Sequence, residues 1–375
     1  MEPSITELTI SGFRTLKNFN VKGLGRVNLI TGRNNTGKSS ILEAIRILAS
    51  RSLITTLTDI LRYREEYIDA KESSRQDKPN TAFSVTSLFT SFPELSNSIA
   101  PIDIKTGGQR ITDLSIELRI GWLASEMKKI KNDIQSDDET QSSYIKDDQK
   151  PVLVVKTPNS HFIFSARDNS QNLLDLKHYH RSVIKAEPSI LSMFVSAYGG
   201  ERTANLGALW DGIVLSNNEQ DVIKALQIIE PEITAVTMIG GESQPRTAIV
   251  RTGNFSRPVP LRSFGDGMNR LFGIILSLVN AKGGFLLIDE FENGMHHTVQ
   301  LDAWRIIFSL AQSLDVQVFA TSHSWDAIES FQKAAEETKE DGALIRLTRK
   351  GEDIIPTVFK EKELAIATRA GIEVR

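Results

Sequence analysis

An α/β fold is what this sequence predicts: an antiparallel, β-rich N-terminal part, a mostly parallel central sheet flanked by helices, and a helical or irregular insertion. Three observations carry that expectation. Residues 26–31 (RVNLIT) read as a strand that runs into a glycine loop and then a helix. Residues 283–290 (GGFLLIDE) read as a short, continuous apolar strand ending in two acids, and 316–324 (VQVFATSHS) as another buried strand. Short unbroken apolar runs bounded by turn signals are the pattern of strands buried on both faces.

In chain order, residues 5–10 (ITELTI) alternate and 17–21 (KNFNV) are strand-like. After the glycine loop, Ile41, Ala44, Ile45 and Leu48 recur at helical spacing. The polar stretch 51–82 predicts a helix followed by an exposed loop, and 111–122 and 151–165 predict two strands. Between those two, about 123–150 has too few apolar residues to pack and is expected to be a mobile loop. Its pairs Asp137-Asp138 and Asp147-Asp148 read as solvated loop acids rather than metal ligands. Helices are expected at 219–230, 268–280 and 298–313, a strand at 246–251, and a hairpin over 343–359 followed by a short helix.

Composition narrows the function classes. The 375 residues carry a formal net charge of −3, so no global basic field advertises nucleic acid, although a local patch is not excluded. The absence of cysteine excludes disulfides, zinc ribbons and a zinc hook, and fits a reducing cytoplasm. The opening MEPSITELTI lacks a signal-peptide core, and the most apolar stretch is broken by Asn280, Lys282 and two glycines. A cytoplasmic protein with no membrane association is therefore expected.

The chemistry starts at Gly32-x₄-Gly37-Lys38-Ser39. Glycines there let backbone N–H groups surround an anion at a helix N-terminus, where the helix dipole favours negative charge. The cradle spans Gly32, Asn34, Asn35, Thr36, Gly37, Lys38, Ser39 and Ser40; Lys38 would reach the β and γ phosphates and Ser39 would ligate Mg²⁺. Asp289, ending its strand, is the second candidate Mg²⁺ ligand, and Glu290 the candidate base for the attacking water. The plainer reading of that pair is a strand-end cap for the next helix. Residues 261–270 (LRSFGDGMNR) place Ser263, Gly265 and Gly267 before a helix, a second anion-binding terminus or else a simple capping turn. One triphosphate seldom needs two cradles, so the γ-phosphate of a second subunit is its natural user. His323, after the strand that follows the acids, would meet a γ-phosphate or the attacking water, or be structural.

These four elements in this order resemble the ATPase heads of the ABC superfamily in its SMC-like branch. GRNNTGKSSILEAI is similar to the phosphate loop of OLD-type (overcoming-lysogenization-defect) and RecF-like ATPases, and ITELTISGFRTLKNFNV to their first strand and Phe-Arg turn. The likeness extends to residues 262–297, 317–326 and 363–375, and is poor over 51–190. It implies ATP and Mg²⁺ as cofactors, an ABC-type head fold, a signature at Ser263, Gly265 and Gly267, a switch histidine at His323, and a loop from Glu292 to His296 across a dimer interface. It also implies one ATPase domain over 1–375: a phosphate-loop lobe (1–50), an insertion with accessory strands (51–190), and a lobe carrying signature, acids and switch (191–375). Two departures stand out. Arg262 replaces the usual leucine before the signature serine, and the metal-sensing glutamine has only Gln76 and Gln109 as candidates.

Many OLD proteins continue into a TOPRIM nuclease, which needs a Glu and a DxD-type cluster that the residues after His323 lack. The expectation is therefore an ATP-hydrolysing head that forms a homodimer or higher oligomer around ATP. It would serve as sensor or regulator of an anti-phage or DNA-transaction system, with a separate effector such as a TOPRIM-like nuclease. Two rivals stay open. One is a repair-type ATPase that clamps DNA, recognisable by salt-dependent binding that strengthens with ATP. The other is a scaffold that binds ATP without turnover, against which Glu290 counts.

Overall fold

The computed structural model describes residues 3–50, 52–69, 81–94, 99–108, 114–123, 125–126, 128, 151–165, 177–183, 190–197, 203–240, 246–338, 342–360 and 363. Strands β1 (Glu7–Phe13) and β2 (Leu16–Lys22) form an antiparallel hairpin, then β3 (Val27–Gly32) leads through the glycine loop into α1 (Lys38–Leu48) and α2 (Leu53–Tyr63). The next segment supplies β4 (Tyr67–Asp69), β5 (Thr81–Phe83), β6 (Ile102–Gly107), β7 (Ser115–Trp122), β8 (Pro151–Lys156), β9 (Ser160–Ser165) and β10 (Lys177–Val183). Then come β11 (Ser192–Val195), α3 (Thr203–Asp211), α4 (Asn217–Gln227), β12 (Ile233–Ile239), β13 (Thr247–Thr252) and β14 (Val259–Pro260). The chain continues with α5 (Asp266–Asn280), β15 (Phe285–Ile288), α6 (His297–Ser313), β16 (Gln317–Thr321), α7 (Trp325–Glu337), β17 (Gly342–Lys350) and β18 (Asp353–Lys360).

Two large sheets organise these elements. One is antiparallel, with strand order β10-β9-β8-β7-β6-β1-β2. The other runs β11-β15-β16-β3-β17-β18, its first five strands parallel and β18 antiparallel at the edge. The accessory strands expected within 51–190 thus make up most of the antiparallel sheet. The run 151–165 is two strands rather than one, because Thr157 turns the chain by donating to the Ser160 carbonyl at 2.9 Å. The loop expected at about 123–150, Gln76, Gln109 and the C-terminal helix fall almost wholly outside the described residues.

Strand β3 shows why unbroken apolar runs mark the central strands. Val27 and Leu29 enter the core shared with α3–α7, whereas Ile30 enters the core shared with α1, α2 and the antiparallel sheet. Strand β15 splits the same way, Leu286 and Ile288 on one side and Phe285 and Leu287 on the other. Alternate residues therefore need apolar side chains on both faces, and each contributes about 1.5–3 kcal/mol on full burial. Buried amides hold the layers in register. Gln317 accepts from Ile5 N at 2.9 Å and donates to the carbonyls of Ile5 and Gly25 at 2.8 Å each. At the edge, Gly284 is required by proximity: a Cβ there would lie 1.9 Å from the Leu191 carbonyl oxygen.

The Phe13–Leu16 turn braces the phosphate loop. Arg14, buried at φ +50, pairs with Glu43 of α1 at 2.7 Å and with Glu66 at 2.7 and 3.0 Å. Arg64 holds the other Glu43 oxygen at 2.7 Å. Burial pulls the Arg14 guanidinium down, but Glu43 and Glu66 outweigh it and leave it raised. No described helix is long and apolar enough to cross a membrane.

Candidate functional site

The site forms at the carboxyl ends of β3, β15 and β16, three adjacent parallel strands. Beyond β3 the chain rises through exposed Arg33, Asn34 and Asn35 and buried Thr36 to Gly37, which stands before α1 at φ +85. A side chain at Gly37 would be strained in that conformation, and its Cβ would meet Leu16 Cδ2 and Thr15 Oγ1 at 3.0 Å each. Asn35 is also left-handed, at φ +62, and its carbonyl accepts from Arg349 of β17 at 3.3 Å. Thr36 closes the loop by donating its hydroxyl to the Arg33 carbonyl at 2.8 Å. Ser40 is buried in the first turn of α1.

Lys38 bends back over the loop, its Nζ donating to the carbonyls of Gly32 at 2.7 Å and Arg33 at 3.1 Å. Burial lowers its ammonium below the usual lysine range, and Asp289, Glu290 and Glu292 offset part of that shift. A cation is thus held beside three acids under the strand ends.

Asp289 is the convergence point. Its Oδ1 accepts from the Ser39 hydroxyl at 3.0 Å and from the Thr321 hydroxyl at 2.7 Å. In an octahedral Mg²⁺ shell, neighbouring oxygens at about 2.0–2.1 Å from the metal lie roughly 2.9 Å apart. The Ser39–Asp289 spacing and the all-oxygen donor set therefore fit this ion.

Glu290 follows at φ +47, an uncommon conformation for a residue with a side chain. Three contacts hold that turn: Glu290 N donates to Thr321 Oγ1 at 2.8 Å, Phe291 N to the Thr321 carbonyl at 2.9 Å, and Asp289 N to the Val195 carbonyl at 2.9 Å. The Glu290 carboxylate accepts from the Asn293 amide, which also donates to the Ala197 carbonyl at 3.0 Å. Below the turn lies Arg270 of α5, buried and donating to the carbonyls of Ser196, Asp289 (3.1 Å) and Glu290 (3.4 Å). Burial lowers its guanidinium, partly countered by Asp289.

His323 is half exposed beyond β16, and its ring Nδ1 lies 3.1 Å from Glu292 Oε1. Glu292 therefore folds back within its own chain, while Gly294 and His296 of the same loop and His297 at the start of α6 are exposed. The glycine turn is displayed elsewhere. Ser263 sits in a 3₁₀ turn (Leu261–Phe264) and is exposed, Gly265 adopts φ +100, and Gly267 opens α5 against the Gly294 carbonyl. Arg262 pairs with Asp266 at 2.7 Å on the exposed surface. So Lys38, Ser39, Asp289, Glu290 and His323 gather around one set of strand ends, and Ser263 and Gly265 face outward.

Thr321, Arg270 and Asn293 are not among the residues expected from sequence. Thr321 carried the readable signal, a hydroxyl ending an apolar strand next to the acid strand. The other two act on carbonyls distant in sequence, which no local pattern marks.

Residues 4–191 match the family model described as "AAA ATPase domain", and residues 123–328 the one described as "AAA domain, putative AbiEii toxin, Type IV TA system". The chain is 24% identical over 356 residues to an "ATP/GTP phosphatase" of Helicobacter pylori, covering 89% of each protein. Among solved structures it is similar to an SMC head bound to the C-winged helix domain of ScpA, with 11% identity, 96% and 99% coverage and a TM-score of 0.48. It is also similar to the SMC head domain from Thermotoga maritima, with 10% identity, 95% and 98% coverage and a TM-score of 0.42.

Proposed function

We propose that this chain, which belongs to the AAA ATPase domain family, hydrolyses ATP with Mg²⁺ at the Lys38–Asp289–Glu290 centre and closes that centre with a second copy of itself. The observation that carries the reading is the junction at Asp289 Oδ1, where the phosphate-loop serine and the Thr321 hydroxyl meet. Backbone N–H groups of residues 33–39 and Lys38 would hold the β and γ phosphates. Ser39 and Asp289 would hold Mg²⁺, which when bound supplies neutralisation of charge developing on the phosphates. Glu290, restrained by Asn293, would accept the proton of the attacking water, with His323 alongside. Exposure of Ser263 and Gly265 supports their use by the γ-phosphate of a partner.

Residues 1–375 serve as one ATPase domain in this reading, of the OLD type. The family description that names an AbiEii toxin and a type IV system supports a setting in bacterial defence, where the ATPase acts as sensor or regulator. The effector proposed for it is a separate protein such as a TOPRIM-like nuclease.

Mixing two inactive proteins, Lys38→Ala and Ser263→Arg, tests the shared site. Each mixed dimer contains one interface with an intact phosphate loop and an intact signature. ATPase activity should return on mixing, with subunit exchange followed in parallel. If Ser263→Arg alone turns over at the wild-type rate and ATP leaves the oligomeric state unchanged, the glycine turn is only a helix cap.

A further inference from the structure

We infer that Glu292 is a positioning residue for ATP hydrolysis, fixing the ring orientation and tautomer of His323. The inference rests on the role proposed for His323 and adds a residue behind it. One oxygen, Glu292 Oε1, gathers three groups of the switch loop. His323 N donates to it at 2.9 Å and Ser324 N at 3.1 Å, and His323 Nδ1 lies 3.1 Å away. The other oxygen, Oε2, is buried without a hydrogen-bond partner. The glutamate side chain is 9% exposed, whereas the imidazole it holds is 52% exposed.

The arrangement is costly for stability. A carboxylate withdrawn from water with one oxygen unsatisfied loses hydration that its three contacts only partly replace. A side chain that merely capped the loop could use both oxygens or stay in solvent. What this geometry achieves is directional. A carboxylate accepts and cannot donate, so a hydrogen bond across the 3.1 Å between Nδ1 and Glu292 requires the proton on Nδ1 of His323. The two ring nitrogens are distinct, and the hydrogen bond at one sets the state of the other. Glu292 therefore occupies Nδ1 and leaves Nε2, on the far edge of the ring, as the nitrogen free to meet water or phosphate. Both backbone bonds to the same oxygen stop the loop from rotating the ring away. Glu292 also offsets part of the lowering of the Lys38 ammonium and of the Arg270 guanidinium, whose largest cause is burial.

The test combines spectroscopy and kinetics on the full chain. Long-range ¹H–¹⁵N spectra, assigned by subtraction of the His323→Ala protein, should show His323 as the Nδ1–H tautomer in the wild type and in Glu292→Gln, which keeps an acceptor. In Glu292→Ala the Nε2–H tautomer should appear. That variant should lose about 10- to 100-fold in kcat, the scale found for carboxylates that orient metal-bound histidines, with KM for ATP near wild type. In a His323→Ala background the same change should cost nothing further. An unmoved tautomer in Glu292→Ala, or an equal loss of kcat in both backgrounds, overturns the proposal and makes Glu292 a loop anchor. A fully active His323→Ala protein also overturns it, and the spectra then show separately that the failure lies in the role of His323 rather than in the hold of Glu292.

Discussion

Thr321 is the most informative residue to perturb, because one buried hydroxyl serves both acids. Its Oγ1 donates to Asp289 at 2.7 Å and accepts from Glu290 N at 2.8 Å, and the residue is fully buried. Thr321→Val keeps the shape and removes both bonds. A hydrogen bond to a charged group contributes about 1.5–3 kcal/mol, and a buried N–H left unpaired costs about 1–3 kcal/mol. The two effects share one hydroxyl and do not simply add, so the expected loss is about 3 kcal/mol by denaturant titration. Turnover should fall more steeply than stability suggests, because the Glu290 N–H bond is one of the three contacts that hold this residue at φ +47. Thr321→Ser keeps the hydroxyl and should retain most of the activity, at the modest cost of one methyl group. A Thr321→Val protein with wild-type stability and wild-type kcat would show that neither acid depends on this junction.

Other expectations follow from the same geometry. Lys38→Ala should abolish ATP binding by calorimetry in a folded protein, since it removes the ammonium held over the loop carbonyls; near wild-type affinity would move the site elsewhere. Glu290→Gln should preserve binding and slow hydrolysis roughly 10²- to 10⁴-fold, the usual contribution of a general base, with the ATP-bound state more oligomeric by light scattering. Turnover within a few-fold of wild type would assign Glu290 to helix capping. Gly284→Ala should destabilise the fold by at least about 1–3 kcal/mol, as overpacking does, because its Cβ would collide with the Leu191 carbonyl. A neutral result there would mean that β11 can shift without consequence.

The strands that carry the site were legible because their chemistry is local. RVNLIT ending in glycine and FLLI ending in two acids state both their burial and the chemistry they could carry within eight residues. The antiparallel sheet was less so. Strand β10 (KHYHRSV) shows no apolar alternation, and in the parallel sheet β11 (SMFV) is too short to stand out; both exist because neighbouring strands pair with them. Helix α7 is not among the elements expected from sequence, although Ala327, Ile328, Phe331, Ala334 and Ala335 carry the helical period. The inward fold of Glu292 was beyond local reading, since its partners lie 31 and 32 positions away. Arg270 resembles any helix arginine until its carbonyl partners, 74, 19 and 20 positions distant, are known.

The junction between Ser39 and Asp289 spans 250 positions of the chain. During synthesis at about 5–20 residues per second, the phosphate loop leaves the ribosome tens of seconds before the acid that completes it. Strand β3 meanwhile lacks both of its neighbours, β16 and β17, which come from the last sixty residues. A nascent chain can thus carry the full nucleotide-cradling motif and still have no hydrolytic centre. On the proposed mechanism, products truncated before β15 would therefore be inert toward ATP turnover, however well their phosphate loop is formed.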